Sequence, residues 1–300
     1  MGTTYVTGDC HGDYGKFSTK RFPMQKEMTR DDVMIVCGDF GIWDDDKSER
    51  YRLKELSERK FTTLFCDGNH SNFDRLCTEE YLKYMRGEDI TGADQGEFPL
   101  VDMYGGKVQK IRDGVYHLLR GEVYEINGKK FFVFGGAASH DISEGILDRA
   151  NYKTDDEFYE AAYLWRKTKY YYRIAHISWW KEELPSEDEM KHAMETLAKH
   201  DFKVDYIISH CAPTSIHCLM GYDSPDVATN FLQQVAEKTQ FEKWYFGHYH
   251  GDRNINPEYI LMYNSIQPIL DNRFRFSALG EVEPDEVDGI TPEEIEDISH

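Results

Sequence analysis

Short apolar runs that stop at a glycine and a polar residue recur along this chain. Residues 3–7 alternate and end in Gly8-Asp9-Cys10-His11-Gly12. Residues 33–37 are continuously apolar and end in Gly38-Asp39-Phe40-Gly41, and residues 61–66 end in Asp67-Gly68-Asn69-His70. A run of this length closed by a glycine loop predicts a β-strand whose carboxyl end carries the polar side chains. Between the second and third runs, residues 47–60 are charged with leucines at 53 and 56, the pattern of a surface helix. Strand, helix and strand, each strand followed by a polar loop, predict parallel βαβ units. Open sheets built that way place ligands beyond the carboxyl ends of their strands.

Residues 87–107 are rich in Gly and Asp and are expected to form a long loop. Residues 115–119, 122–126 and 130–134 then read as short strands, with Asn127-Gly128 as a tight hairpin signal. They predict a second, more antiparallel sheet that closes on Gly135-Gly136-Ala137-Ala138-Ser139-His140-Asp141. Residues 145–185 are rich in Tyr and Trp, and these rings are expected to pack a helical insertion against the domain. Stacking on a nucleobase or another flat substrate group is their other use. Ser186 with Glu189 is a capping box for a helix to about His200, and residues 205–209 form a strand ending at His210. Ser224-Pro225-Asp226 opens a further helix with Pro in its first turn. Residues 244–246 form a strand ending at Gly247-His248-Tyr249-His250, and residues 259–263 and 274–278 are expected to return to the second sheet.

The 300 residues suit one catalytic domain with insertions, at 40% hydrophobic and 30% charged content. No apolar run approaches the roughly 20 residues that span a bilayer. The N-terminus lacks a basic region followed by an apolar one, and position 6 is Val where a myristoylation motif has Ser or Thr. A cytoplasmic protein that does not bind membranes is therefore expected. The formal net charge is −20, and residues 281–300 hold nine acids and no Lys or Arg, leaving −11 on the remainder. They are expected to form a solvated acidic tail, with a short helix allowed at Thr291-Pro292-Glu293-Glu294. Long nucleic acid is disfavoured as a partner because such binding needs Lys and Arg along the phosphates, whereas a small phosphorylated substrate is not. The six cysteines show no CxxC spacing, and Cys10, Cys37 and Cys211 adjoin motif residues as small buried spacers, so no disulfide framework is expected.

Five strand ends thus supply Asp9 with His11, Asp39, Asn69 with His70, His210, and His248 with His250. Singly, each is an ordinary turn or a hydrogen-bonded histidine. In this order, each after a predicted strand, they point to one site. Imidazole, carboxylate and amide oxygen without thiolate suit transition metals and not an all-oxygen cage. Manganese is expected first, with iron, zinc, nickel and cobalt as alternatives. Asp39 has two carboxylate oxygens and can bridge a pair of ions. Such a pair clamps a phosphoryl group, lowers the pKa of a shared water and holds the resulting hydroxide in line with the leaving oxygen.

With those residues, the chain resembles the calcineurin-like metallophosphoesterase family, in particular its small bacterial and phage members, over about residues 3–265. The resemblance implies a four-layer α/β/β/α sandwich with two central mixed sheets, spanning residues 1–280 with the aromatic-rich insertion at about 145–185. It implies a first metal held by Asp9, His11, Asp39 and His250, and a second by Asp39, Asn69, His210 and His248. His70 would bind the phosphate or protonate the leaving group, and an ordinary imidazole pKa near 6.5 suits either role. The implied activity is hydrolysis of a phosphomonoester or phosphodiester, a nucleotide among the small esters that would fit.

Two positions depart from the family pattern. Ser71 stands where Asp or Glu is usual after Asn-His, and Ile42-Trp43-Asp44 stands where the protein phosphatase branch has Asp-Arg-Gly. That branch is therefore not expected, and the group that orients His70 is left open between Asp44 and Asp67. His140 ends a strand of the second sheet and is expected to be structural, with contact to the substrate as its other use. A non-catalytic metal-binding scaffold of the same fold is the alternative function, against which stands the full set of seven metal ligands and His70.

Overall fold

The strands β1 (Thr4–Thr7), β2 (Val33–Val36) and β3 (Thr62–Phe65) are buried along their whole length and pair in parallel, Tyr5 opposite Met34 and Met34 opposite Thr63. That is the burial expected of strands covered on both faces. The computed structural model describes residues 2–269, and Met1–Pro268 form one compact unit. The strand expected at 274–278 and the acidic tail at 281–300 lie outside the described residues. Helix α1 (Lys47–Ser57) crosses from β2 to β3. Asp46 caps it by accepting the Glu49 N–H, and Leu53 and Leu56 face the sheet among Met34, Val36, Phe61 and Phe65. Two short helices, α2 (Phe73–Leu76) and α3 (Glu79–Met85), follow.

Residues 87–107 are not wholly loop. The strands β4 (Leu100–Met103) and β5 (Gly106–Arg112) turn through positive-φ Tyr104 and Gly105, and β5 pairs antiparallel with β6 (Val115–Leu118). The expectation that residues 115–119 start the second sheet is also corrected, because β6 lies parallel to β3, Leu64 opposite Tyr116. The first sheet therefore runs β15-β1-β2-β3-β6-β5-β4, where β15 is Ile266–Ile269.

The second sheet begins at the hairpin of β7 (Val123–Ile126) and β8 (Lys129–Phe134), which turns at Asn127-Gly128 with φ of 51° and 76°. The chain then forms the two-residue parallel pair β9 (Ile146–Leu147) and β10 (Arg173–Ile174), with α4 (Asp155–Thr168) between them. It continues through α5 (Glu187–Lys199), β11 (Tyr206–Ser209), α6 (Thr214–Leu219), α7 (Val227–Lys238), β12 (Lys243–Phe246), β13 (Arg253–Asn254) and β14 (Tyr259–Leu261). The sheet order is β13-β14-β12-β11-β8-β7, and β8, β11, β12 and β14 are mutually parallel. The second sheet is thus parallel at its centre and antiparallel only at its edges, contrary to the more antiparallel sheet expected from the hairpin. The α5 capping box of Ser186 and Glu189 forms as expected. Helix α7 instead starts after its cap Asp226, so Pro225 precedes the helix and is not in its first turn.

One face of the second sheet, with Phe134, Ile207, Trp244 and Phe246, packs on Ala193 and Leu197 of α5 and on Ala228, Phe231 and Leu232 of α7. The opposite faces carry Val33, Ile35 and Leu64 of the first sheet and Val133, Ile208 and Ile260 of the second, all buried. The result is an α/β sandwich of two mixed sheets with helices on the outside, the four-layer arrangement expected. The aromatic insertion packs less than expected. Phe158 and Trp180 are buried, but Tyr159 and Tyr163 of α4 and the following Tyr170 and Tyr171 are exposed. No helix among the described residues is long and apolar enough to cross a membrane.

Candidate metal centre

The carboxyl ends of β1, β2, β3, β11 and β12 bring all eight predicted residues to one rim. The loops after β1 and β2 are tied by backbone. Cys10 and His11 donate their N–H groups to the Asp39 carbonyl, and Gly12 donates to that of Phe40. Two glycines are required by close approach. A Cβ on Gly38, where φ is 93°, would lie 2.0 Å from His210 Nδ1, and one on Gly247 would lie 2.1 Å from Asp9 Oδ1. Four of the predicted ligands are themselves left-handed, with φ of 48° at His11, 42° at Asp39, 67° at His248 and 47° at His250. Non-glycine residues rarely adopt this conformation, and such strain gathers at sites whose surroundings over-determine it.

The side chains form two overlapping groups. In one, His250 Nε2 lies 3.2 Å from Asp9 Oδ2 and 3.1 Å from His11 Nε2. In the other, His210 Nε2 lies 3.4 Å from Asp39 Oδ2 and 3.1 Å from Asn69 Oδ1. Asp39 Oδ2 is also 3.8 Å from His11 Nε2, so this one oxygen stands between the two groups. Asp9, His11 and His250 could together hold an ion, and so could Asp9, Asp39 and His210. His248 is placed differently from the others. Its backbone N–H donates to Asp9 at 3.1 Å, and its ring meets the His210 ring edge-on with centroids 5.0 Å apart.

The donor chemistry fits metal. A carbonyl can only accept, so the 2.9 Å contact of His210 Nδ1 with the Cys37 carbonyl puts a proton on Nδ1. The other nitrogen, Nε2, then faces two acceptor oxygens, and only a second proton or a cation resolves that juxtaposition. Asn69 is directed the same way. Its Nδ2 donates to Ser139 Oγ at 3.3 Å, Ser139 Oγ donates to Glu183 Oε2 at 2.6 Å, and the amide oxygen is left facing His210.

The electrostatics agree. Burial would raise the Asp39 carboxyl, but hydrogen-bonded His210, with His70 and His11, outweighs it and holds the group well below the carboxylate range. Burial would lower His210, yet Asp39, Asp9 and the Cys37 carbonyl reverse this and push it up to about 9. The Asp9 hydrogen bond raises His250, whereas burial beside His210 holds His248 well below the imidazole range. The upward shifts at His210 and His250 have one cause, buried carboxylates that favour positive charge beside them.

His70 is held through its backbone. Its N–H donates to Asp39 Oδ1 at 2.9 Å, and its carbonyl accepts from Trp43 Nε1 at 2.7 Å. Burial lowers the ring's pKa, Asp39 opposes that, and the positive charge of Arg173 adds to the lowering. Among the described residues neither Asp44 nor Asp67 bonds the ring. Asp67 is taken by the Arg120 guanidinium at 2.5 and 2.9 Å and by His117 Nε2 at 3.2 Å. The Ile42-Trp43-Asp44 departure therefore has a local use, since Trp43 fixes the His70 main chain. Exposed His140 meets the His248 ring edge-on at 6.0 Å, which puts it at the mouth of the site.

Several residues that position the site carry no motif. Lys16 is buried, and its ammonium donates to the carbonyls of Asp9 at 2.7 Å, Gly8 at 3.1 Å and Tyr263 at 2.6 Å, clamping the first loop from behind. Ser139 and Glu183 direct Asn69, and Arg173 reaches the mouth from the insertion. The nearest signal in the sequence is the Ser-His-Asp end of the Gly-Gly-Ala-Ala stretch, which places Ser139 and Asp141 beside the site. The six cysteines are free. No protein-family model matches this chain, and no curated protein matches it.

Proposed function

We propose that this protein is a metal-dependent phosphoesterase of the calcineurin-like kind, which hydrolyses a small phosphomonoester or phosphodiester. The observation that carries this reading is Asp39 Oδ2, which stands 3.8 Å from His11 Nε2 and 3.4 Å from His210 Nε2 and so joins two groups of nitrogen and oxygen donors. Asp9, His11, Asp39 and His250 would hold one divalent ion and Asp39, Asn69, His210 and His248 the other, manganese first among the candidates. When bound, such a pair supplies Lewis acidity to the phosphoryl oxygens and activates water as the nucleophile.

The remaining work falls to the chain. His70, its main chain fixed between Asp39 and Trp43, presents its imidazole beside the donor set, to bind the phosphate or give a proton to the leaving oxygen. Lys16 and the left-handed loops keep the donors in place before substrate arrives. The negative charge of the chain favours small esters, nucleotides included, over long nucleic acid, and a cytoplasmic setting suits six free cysteines.

The reading is tested by loading the purified protein with Mn²⁺ and assaying p-nitrophenyl phosphate and bis-p-nitrophenyl phosphate, alongside metal analysis and Asp39→Ala. Turnover that Asp39→Ala abolishes together with bound metal is expected. No turnover of either ester with Mn²⁺, Ni²⁺, Fe²⁺ or Zn²⁺, despite two bound ions, would favour a metal-binding scaffold instead.

A further inference from the structure

We infer that Arg173, carried into the mouth of the site by the aromatic insertion, binds a peripheral phosphate oxygen and makes the site selective for phosphomonoesters over phosphodiesters. This rests on the phosphoesterase reading and adds to it the class of ester.

Arg173 grips Asp141 in a fork. Nε donates to Oδ1 at 3.0 Å and Nη2 donates to Oδ2, while Nη1 makes no hydrogen bond among the described residues. The carboxylate thus orients the guanidinium and leaves the N–H groups of Nη1 for another acceptor. The pair is at the rim, for Asp141 follows His140, whose ring meets His248. Ser139, two residues before Asp141, accepts from the Asn69 amide at 3.3 Å, so the same short stretch touches the donor set twice.

The insertion is pinned where this requires. Strand β10 pairs with β9, and just beyond it His176 Nδ1 contacts Asp74 at 2.8 Å and Trp180 Nε1 donates to the same carboxylate at 2.8 Å. Asp74 belongs to α2, the helix that starts just after Asn69-His70, so Arg173 and His70 are tied to one small scaffold.

The chemistry then discriminates. A phosphomonoester dianion has three non-bridging oxygens, whereas a diester has two and a single charge. A fixed guanidinium donates well to the additional charged oxygen and has no matching acceptor on a diester, where an alkoxy group stands. A charge-assisted hydrogen bond of this kind corresponds to about 10- to 100-fold in affinity.

The test compares wild type, Arg173→Gln and Arg173→Lys, each as the full chain loaded with Mn²⁺. It measures kcat and KM for p-nitrophenyl phosphate and bis-p-nitrophenyl phosphate, and orthophosphate binding by calorimetry. We expect wild type to prefer the monoester. Arg173→Gln should lower kcat/KM for the monoester by about 30-fold, chiefly through KM, and leave the diester within about 3-fold. Arg173→Lys should fall between, and orthophosphate should bind Arg173→Gln about 10-fold more weakly. Equal losses on both esters, or unchanged orthophosphate affinity in a variant that melts like wild type, would overturn the assignment. If wild type cleaves neither ester, the phosphoesterase reading fails, and the orthophosphate comparison still decides whether Arg173 binds phosphate.

Discussion

The Arg120 guanidinium meets the Asp67 carboxylate through Nε at 2.9 Å and Nη2 at 2.5 Å, with both side chains shut away from solvent. Nη1 of the same arginine lies 3.3 Å from Glu189 of α5, and Asp67 also receives His117 at 3.2 Å. A carboxylate at the end of β3 in the first sheet is thereby bound to a helix that packs on the second. The ion pair braces the two sheets immediately behind Asn69 and His70.

Removing both partners of this pair should cost less than the two single removals taken together. Asp67→Asn leaves a buried guanidinium with a weaker partner, and Arg120→Met leaves a buried carboxylate with His117 alone. Each is expected to lower unfolding stability by about 3 kcal/mol, and the double variant by at least 1 kcal/mol less than the sum. Urea denaturation of the four proteins measures this. Losses that simply add would show that the two residues contribute independently.

Ser139→Ala should weaken metal binding while leaving the fold intact. The hydroxyl accepts from Asn69 Nδ2 and donates to Glu183, and among the described residues it is the only side chain that holds the amide nitrogen. Without it the amide can turn and present nitrogen where oxygen is needed. Outer partners of this kind commonly shift affinity by about 10- to 100-fold. Calorimetric titration with Mn²⁺ should show one of two binding events weakened, and an unchanged isotherm would remove Ser139 from this role.

How much of the site could be read from residue order follows from how local each part is. Seven of the eight predicted residues were legible because each lies within four positions of an apolar run closed by a glycine, and the glycines are fixed by contacts such as Gly38 with His210, which itself follows its run directly. The cross-chain supports were not. Lys16, Arg120, Arg173 and Glu183 act through long side chains whose reach is set by tertiary packing, and no spacing marks them. The fold shows the same division. The hairpin at Asn127-Gly128 was legible, but alternation in residues 115–118 says only that a strand forms and not that β3 is its neighbour. Strand β4 reads as loop in the sequence because Leu100–Met103 is only four residues long, turns Asp102 to solvent and follows a stretch rich in Gly and Asp.

Glu183 should give stability a distinctive pH dependence. Burial pushes its carboxyl up to about 7 from an ordinary 4.5, against the opposing hydrogen bonds from Ser139. Between those values the folded chain holds a proton that the unfolded chain releases. Stability contributed by this group therefore falls as pH rises from 4.5 to 7 and is level above that. The slope is at most about 1.4 kcal/mol per pH unit. Urea denaturation at several pH values should show this slope in wild type and its loss in Glu183→Gln. Parallel curves for the two proteins would mean that Glu183 is ionised throughout.

His70 and Trp43 should separate catalysis from metal binding. The His70 ring lies beside the donor groups, its centroid 5.4 Å from that of His11, without sharing either cluster of ligand atoms. His70→Ala should therefore keep two bound ions and lose about 100-fold or more in kcat, the usual contribution of a positioned acid. Trp43→Phe removes the indole N–H that donates to the His70 carbonyl at 2.7 Å and keeps a smaller aromatic ring in its place. It leaves the imidazole present but less well fixed, so a smaller loss of about 3- to 10-fold in kcat is expected, since misplacement and not absence is the fault. Combining the two substitutions should cost no more than His70→Ala alone, because Trp43 acts on turnover through His70. Metal analysis of each variant together with kcat decides the matter. If His70→Ala loses both ions, its imidazole belongs to the metal centre, and if the double variant is slower than His70→Ala by the full Trp43→Phe factor, Trp43 acts on turnover by another route.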